Sequence, residues 1–423
     1  MNKLVQIFKV KDLRKKILFV LAILVIFRAM AAIPIPGVSV QDLDGFFTKF
    51  EAFGLLNMFT GGTLSKISIV MLGIGPYITA TIILQLLTMI FPALERIYKE
   101  EGAAGRQKIN QWGRYATVPL ALIQGYAMLT LLQRNGAISG LSSVMMVTSL
   151  ITITAGTLLL VWLGELITEK GIGNGVSLII FAGIVSSLPS NILQFASNWN
   201  PAQLPGYLLF FAAAFLIIIG VVMVTEARRN IPVSYAKRVR GHRIYGGAST
   251  FLPLNVNPSG VIPIIFALSM LLFPSMIASL LANSPGVVGR IATAVAGFQD
   301  HLIAWGITYF VLVFAFTFFY TMVTFDPKAI ANNLKKMGGF VPGIRPGEST
   351  VAFLKFVLNR VLFIGATFLG VVAIMPYVIK GITGVQTFSF LVGGTSLLIV
   401  VAVVLDTIKQ VNSQLQMREY DTI

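Results

Sequence analysis

In this chain of 423 residues, 56% are hydrophobic and 11% charged, with 32 basic against 16 acidic side chains for a formal charge of +16. A soluble globular domain carries roughly a quarter charged residues, so the composition excludes that class and makes lipid the solvent. The lack of cysteine excludes disulfides, thiolate catalysis and thiolate metal sites, and His242 and His301, in separate loops, make no metal cluster.

Ten apolar runs, each about long enough to cross a bilayer as a helix, lie at 17–33, 68–91, 112–133, 144–165, 176–194, 205–225, 261–283, 303–325, 356–378 and 387–408. The first lacks a small-residue cleavage pattern at its end and reads as a retained span. Its Arg28 is the one charge well inside a run, near enough to the outer end to snorkel toward headgroups. The carboxylates lie in loops or at run ends. A pump or ion-coupled transporter keeps an ionisable relay within its spans, so this distribution points to a channel.

Between the first two runs, Phe53 to Thr60 is apolar but too short to span, and Gly61-Gly62 separates it from the second run. Two readings fit: a re-entrant half-helix, or an amphipathic helix on the outer leaflet. In the second run Ile74, Ile78, Thr81, Gln85 and Thr88 share one helical stripe that passes from β-branched apolar to polar, the signature of either a pore wall or a helix contact. Val176 and Ile180 repeat the apolar pair. Gly73, Gly75 and Pro76 weaken the second run at one point, and Pro263 and Pro274 weaken the seventh, which predicts kinks. Gly171 to Gly175 lies between two spans with no preceding strand and reads as a tight turn, not a phosphate loop. No Walker-type loop occurs, so any ATP consumption belongs to a partner.

Basic residues set the orientation. Lys3, Lys9, Lys11, Arg14, Lys15 and Lys16 precede the first run, and alternate loops add Arg96 to Lys108, Arg228 to Arg243 and Lys328 to Arg345, which places those loops and both termini in the cytoplasm. The opposite loops carry only Lys49, Lys66, Arg134, Arg290 and Lys380. The cytoplasmic loops 226–260 and 326–355 are longer than connectors require and project from the membrane. In the first, β-prone runs Ile231 to Tyr235 and Arg243 to Tyr245 flank Arg240-Gly241, a basic hairpin. In the second, the prolines and glycines of Val341 to Gly347 forbid a helix and hold Arg345 on a stiff turn. The polar segment from Asn198 to Pro205 divides the chain into 1–200 and 201–423, five runs in each part.

Ile33-Pro34-Ile35-Pro36-Gly37, Asn57-Met58-Phe59 followed by Gly61-Gly62, Gly75-Pro76-Tyr77-Ile78, Trp162-Leu163-Gly164-Glu165, Gly171 to Gly175, Tyr235-Ala236-Lys237-Arg238, Phe340 to Glu348 and Gly393-Gly394-Thr395-Ser396 together resemble the SecY family of protein-conducting channel subunits. The resemblance runs over essentially the whole chain. It implies an all-α polytopic membrane protein of ten transmembrane helices, in two pseudo-symmetric five-helix halves around an hourglass pore. It makes 52–66, with Phe53, Leu55, Leu56, Asn57, Met58, Phe59, Gly61 and Gly62, a plug, and Ile74, Ile78, Val176, Ile180, Ile265 and Ile399 an apolar pore ring. It assigns Pro76, Thr79, Gln85, Pro263, Ser269 and Phe273 to a lateral gate, with Pro76 and Pro263 as hinges. Arg238, Arg240, Arg345, Pro346 and Gly347 become a docking surface for the ribosome and the SecA motor.

The implied function is translocation of unfolded secretory polypeptides and lateral release of membrane helices into the bacterial cytoplasmic membrane. The implied partners are SecE-like and SecG-like subunits, signal sequences, nascent chains and membrane lipid. No cofactor, metal or catalytic residue is implied. A secondary transporter of a small solute is the alternative, but it would keep convergent polar groups within the spans, where only scattered Thr79, Gln85, Gln124 and Ser269 occur.

Overall fold

The computed structural model describes residues 10–36, 38, 57, 60–197, 201, 204–235, 238–240, 243–245, 249–282, 285–298, 301–383 and 394–421, with the backbone alone for some of them. Helices in chain order are α1 (Lys11–Ala32), α2 (Gly75–Ile90), α3 (Pro92–Glu100), α4 (Gly102–Arg134), α5 (Ser143–Lys170), α6 (Gly175–Ser197), α7 (Leu204–Glu226), α8 (Ile262–Leu281), α9 (Val287–Gly297), α10 (Leu302–Thr324), α11 (Pro327–Lys336), α12 (Glu348–Thr383) and α13 (Gly394–Asp421). Every apolar run of the sequence carries a helix, although the start of the tenth lies outside the described residues. Among the described residues, seven helices are individually long and apolar enough to cross a membrane, and eight are if the bent pair α2 and α3 forms one span. The protein is a multi-pass α-helical membrane protein.

The helices follow from the solvent: in hydrocarbon a backbone that does not bond to itself loses several kcal/mol per group. Side chains then decide which face is packed. In α1 the buried positions Val20, Ile23, Phe27 and Met30 recur at three- and four-residue steps, and they rest on α5 and α6. Outward faces stay apolar, as with Leu208, Phe211, Phe215 and Leu216 of α7.

Principal packing joins α2, α4 and α5 to one another, with α1 and α6 against α5, and separately joins α8, α10 and α12, with α7 and α13 against α12. Elements on either side of residue 200 meet where α8 packs on α2 and α4, and where α13 packs on α6.

The second span departs from its expected course. Residues 68–74 are not helical: they run through turns closed by Met71 N to Ser68 O and Gly73 N to Val70 O, and Gly73 sits at φ +56°. The helix starts only at Gly75, with Pro76 in its first turn, where the missing amide costs nothing. This irregular backbone is tolerated because Val70 and Met71 are wholly buried in protein. Pro76 and Pro263 are therefore helix starts instead of kinks, whereas Pro274 does lie inside α8. The sharp bend of this span falls at its other end, where α2 turns by 111° into α3 at Pro92.

The loops after α7 and α10 build one small sheet. Strands β1 (Arg228–Tyr235) and β4 (Ser249–Asn255) pair antiparallel, and the tip strands β2 (Arg238–Arg240) and β3 (Arg243–Tyr245) continue the hairpin in the same register. Residues 231–234 of the β-prone run thus pair with 249–252, and Arg243 to Tyr245 pairs with Arg238 to Arg240. From the second loop, β5 (Gly339–Phe340) adds to the open edge of β1 through Ser234 and Tyr235. A separate core of Ile231, Leu254, Ala331, Val341, Val351 and Leu354 lies beneath it. The second loop is shorter than expected at its far end, because α12 begins at Glu348 and runs for 36 residues.

Candidate functional site

Where α2 starts, α6 and α8 converge on it and leave a cavity of about 50 Å³ lined by Ile74, Ile78, Ile180, Ile265, Leu268 and Leu272, with Thr60, Ser269 and backbone at its edges. Four of the six expected ring residues therefore face one space. Ile399 of α13 is wholly buried and Val176 half-buried in the same apolar cluster, without lining that cavity. Val176 instead lies against Gly164 of α5, at the close approach between the two helices that the Gly171 to Gly175 turn joins. That segment is the tight turn its sequence predicts, with Gly173 at φ +89°.

The stripe on α2 divides. Ile74 and Ile78 line the cavity, whereas the Thr81 methyl lies toward Gly113 of α4, a helix contact. Thr81 and Thr88 donate their hydroxyls to carbonyls of their own helix, Ile78 O at 2.8 Å and Gln85 O at 2.7 Å. Gln85 is half-buried, and its Oε1 accepts no hydrogen bond among the described residues.

On the loop side of the constriction lies a far larger space of about 500 Å³, lined by polar groups that include Asn174, Arg228, Asn257, Asp406, Thr407 and Lys409. The two spaces share no lining residue, one apolar and the other largely polar. Sequence reading missed these vestibule residues, because α13 supplies Asp406, Thr407 and Lys409 while Asn174, Arg228 and Asn257 come from distant segments, and no local spacing links them.

Among the expected gate residues, Thr79 is buried on α2, donates to Gly75 O at 3.0 Å and accepts from Gln124 Nε2 of α4 at 3.4 Å. Ser269 lines the cavity and Phe273 is half-buried one turn further along α8. The helices that carry these residues, α2, α4 and α8, pack on one another.

Of the expected plug, Phe53, Leu55, Leu56, Met58 and Phe59 lie outside the described residues. Asn57 caps the stem: its O accepts from Gly62 N at 2.8 Å and its Oδ1 from Ser65 N at 3.0 Å. Gly61 and Gly62 reverse the chain at φ +78° and +75°, and Thr60 reaches the apolar cavity. Ile33-Pro34-Ile35 straps the far end, with Ile35 N donating to Ile67 O at 2.9 Å and Ile69 N to Ile33 O at 3.0 Å. Arg28 does not snorkel outward: its Nη1 donates to Gly61 O at 2.9 Å.

Arg345 is exposed, between a Val341 to Ile344 turn with Gly343 at φ +82° and Gly347 at φ +109°. Its carbonyl accepts from Thr350 Oγ1 at 3.0 Å, which ties the turn to the first residues of α12. Pro346 is also exposed, and Arg238 and Arg240 lie on the hairpin's tip strand, with only their backbone course described.

A family profile described as SecY matches residues 68–408. The chain is 43% identical to a protein translocase subunit SecY of Streptomyces galbus, over 98% of this chain and 97% of the relative. It is 42% identical to one of Mycobacterium tuberculosis, over 97% and 96%. Among solved structures it is similar to a protein-conducting channel with a TM-score of 0.65 at 19% identity, covering 93% of this chain and 91% of that one. It is also similar to Sec61 in the canine ribosome-channel complex, with a TM-score of 0.61 at 18% identity over the same shares. At these identities the likeness to solved structures concerns the fold.

Proposed function

We propose that this chain, which belongs to the SecY family, is the channel-forming subunit of a protein translocase, passing unfolded polypeptides across a membrane and releasing apolar segments sideways into lipid. The observation that carries this reading is the neck: Ile74, Ile78, Ile180 and Ile265 around one small apolar cavity, with Thr60 of the plug stem at its edge and the polar vestibule on the loop side. Side chains without hydrogen-bonding groups make a narrow neck that dewets and resists ions without a charged filter. The same indifference lets any sequence pass, since the wall holds none of its polar groups. A small-solute carrier needs convergent polar groups at its constriction, and here Thr60 and Ser269 supply two hydroxyls among isoleucines and leucines.

In this reading the halves 1–200 and 201–423 part along the α8 seam with α2 and α4, and Pro76, Thr79, Gln85, Pro263, Ser269 and Phe273 form the lateral gate. A signal sequence leaves through the seam because each Å² of its apolar surface moved from water into lipid is worth about 25 cal/mol. Residues 52–66 seal the outer funnel. Six residues form the ring, with Val176 and Ile399 joining when the halves move. The two loops, knit into one sheet by β5, form a platform on which Arg345, Arg238 and Arg240 meet ribosomal phosphate or the carboxylates of a SecA motor, because planar guanidinium suits both. The basic loops and both termini face the cytoplasm, the membrane is the bacterial cytoplasmic membrane, and SecE-like and SecG-like subunits complete the channel.

Reconstitution of the purified chain with those subunits and SecA in vesicles tests the reading. ATP-dependent uptake of a secretory precursor is the expected result. Vesicles that never admit a precursor but concentrate a small solute would refute it.

A further inference from the structure

We propose that Arg28 is the latch of the plug: its guanidinium holds the Gly61 carbonyl and so positions the plug stem against the neck. A charge within a spanning helix is expensive in hydrocarbon and is retained where it has work to do. Arg28 occupies such a position in α1, half-buried between the wholly packed Phe27 and Met30, and its Nη1 lies 2.9 Å from Gly61 O. The acceptor has its own need for this partner. Gly61 is buried in protein and in the left-handed region at φ +78°, outside any helix ladder, so its carbonyl requires a donor from elsewhere.

The place of contact matters as much as the bond. A Cβ on Gly61 would lie 2.5 Å from the Gly183 Cα of α6, so the stem is wedged between α1 and the helix that carries Ile180 into the neck. One residue earlier, Thr60 lines the apolar cavity itself. At its other end the segment is strapped to the extension of α1 by the Ile33 and Ile35 bonds to Ile69 and Ile67. Residues 61–69 are thus pinned to α1 at both ends. The strap consists of two backbone bonds, one of them between the buried Ile35 and Ile67, whereas the latch is one side chain. The latch is accordingly the contact that can be exchanged.

Exchange is inexpensive for a chemical reason. Arg28 stands in the last turns of α1, close enough to the interface for its long stem to turn toward headgroup phosphates or water when the stem leaves. The guanidinium then has two sets of partners, Gly61 with the plug seated and the interface with it displaced. A group with two alternative partner sets biases a two-state equilibrium without locking it.

This inference rests on the reading of 52–66 as a plug, and the experiment separates the two. In reconstituted channels carrying Thr60→Cys as the only cysteine, the rate of alkylation by a membrane-impermeant maleimide added on the outer side reports exposure of the buried stem. A hydrogen bond to a charged group shifts such an equilibrium by roughly ten- to hundredfold. Arg28→Met should therefore raise the alkylation rate by that factor and raise the resting ion conductance with it. Arg28→Lys, which keeps a charged donor with less reach, should fall between the two. If Arg28→Met does not assemble, the comparison of Arg28→Lys with the parent reads the same quantity. An unchanged alkylation rate, in channels where deletion of residues 52–60 does raise conductance, would overturn the latch and leave the plug standing. Unchanged conductance after that deletion would overturn the plug reading, and the latch with it.

Discussion

Replacing Ile180 with asparagine tests the dry neck directly. Ile180 is 7% exposed and lines a cavity of about 50 Å³. A space of that size holds one or two waters at most, and a buried water needs two to four polar partners. The surrounding isoleucines and leucines offer none and the Thr60 and Ser269 hydroxyls stand only at the edge, so the space holds water poorly. Asparagine introduces two donors and an acceptor, which cost about 1–3 kcal/mol if left unpaired there. That cost is recovered only when water enters. At about 1.4 kcal/mol per factor of ten, the wetted state gains roughly five- to 150-fold over the dry one. The assay is the resting conductance of the assembled channel in planar bilayers without precursor, and the expected result is an increase of roughly fivefold or more. Ile180→Val, which removes one methylene and stays β-branched, should leave the conductance near that of the parent while costing about 0.5–1.5 kcal/mol of stability. If Ile180→Asn and Ile78→Asn, both folded, conduct no more than Ile180→Val, the apolar ring is not the ion barrier.

Cysteines at positions 79 and 273, on helices that pack on one another, should crosslink in the resting channel and stop export until reduced; normal export by the locked channel would refute the gate assignment. Arg345→Glu, at an exposed turn braced by backbone bonds, should abolish SecA-driven uptake while leaving the melting temperature within measurement error, and full activity would dismiss the docking role. Leu354, wholly buried beneath the cytoplasmic sheet, should cost about 2–5 kcal/mol when changed to alanine. Limited proteolysis should then cut both loops together, because β5 joins the second to the first; cleavage of only one would contradict a single platform.

Much of this molecule is legible in its residue order, for reasons that differ from feature to feature. Ten apolar runs became helices because a chain in lipid must satisfy its backbone internally, whichever neighbours it has. The Val341 to Gly347 segment stays non-helical and Gly171 to Gly175 forms a turn because the backbone preferences of proline and glycine are local. Ile74, Ile78, Ile180 and Ile265, four of the six residues the family likeness proposes for a ring, line one cavity, and Val176 and Ile399 do not. Helical period alone names a face and not what stands opposite it, which is why the stripe on α2 divides between cavity and α4.

The composition and the spacing of apolar and basic residues thus determined, unaided, a multi-pass helical protein with its charge gathered in alternate loops. Tertiary contact alone decided that the second span starts at Gly75, that a strand from one loop completes the hairpin of another, and that Arg28 turns inward to Gly61. The physical reason is range. Solvent and local torsions act on each residue where it stands, whereas a carbonyl left without a donor finds one only when distant segments have packed beside it.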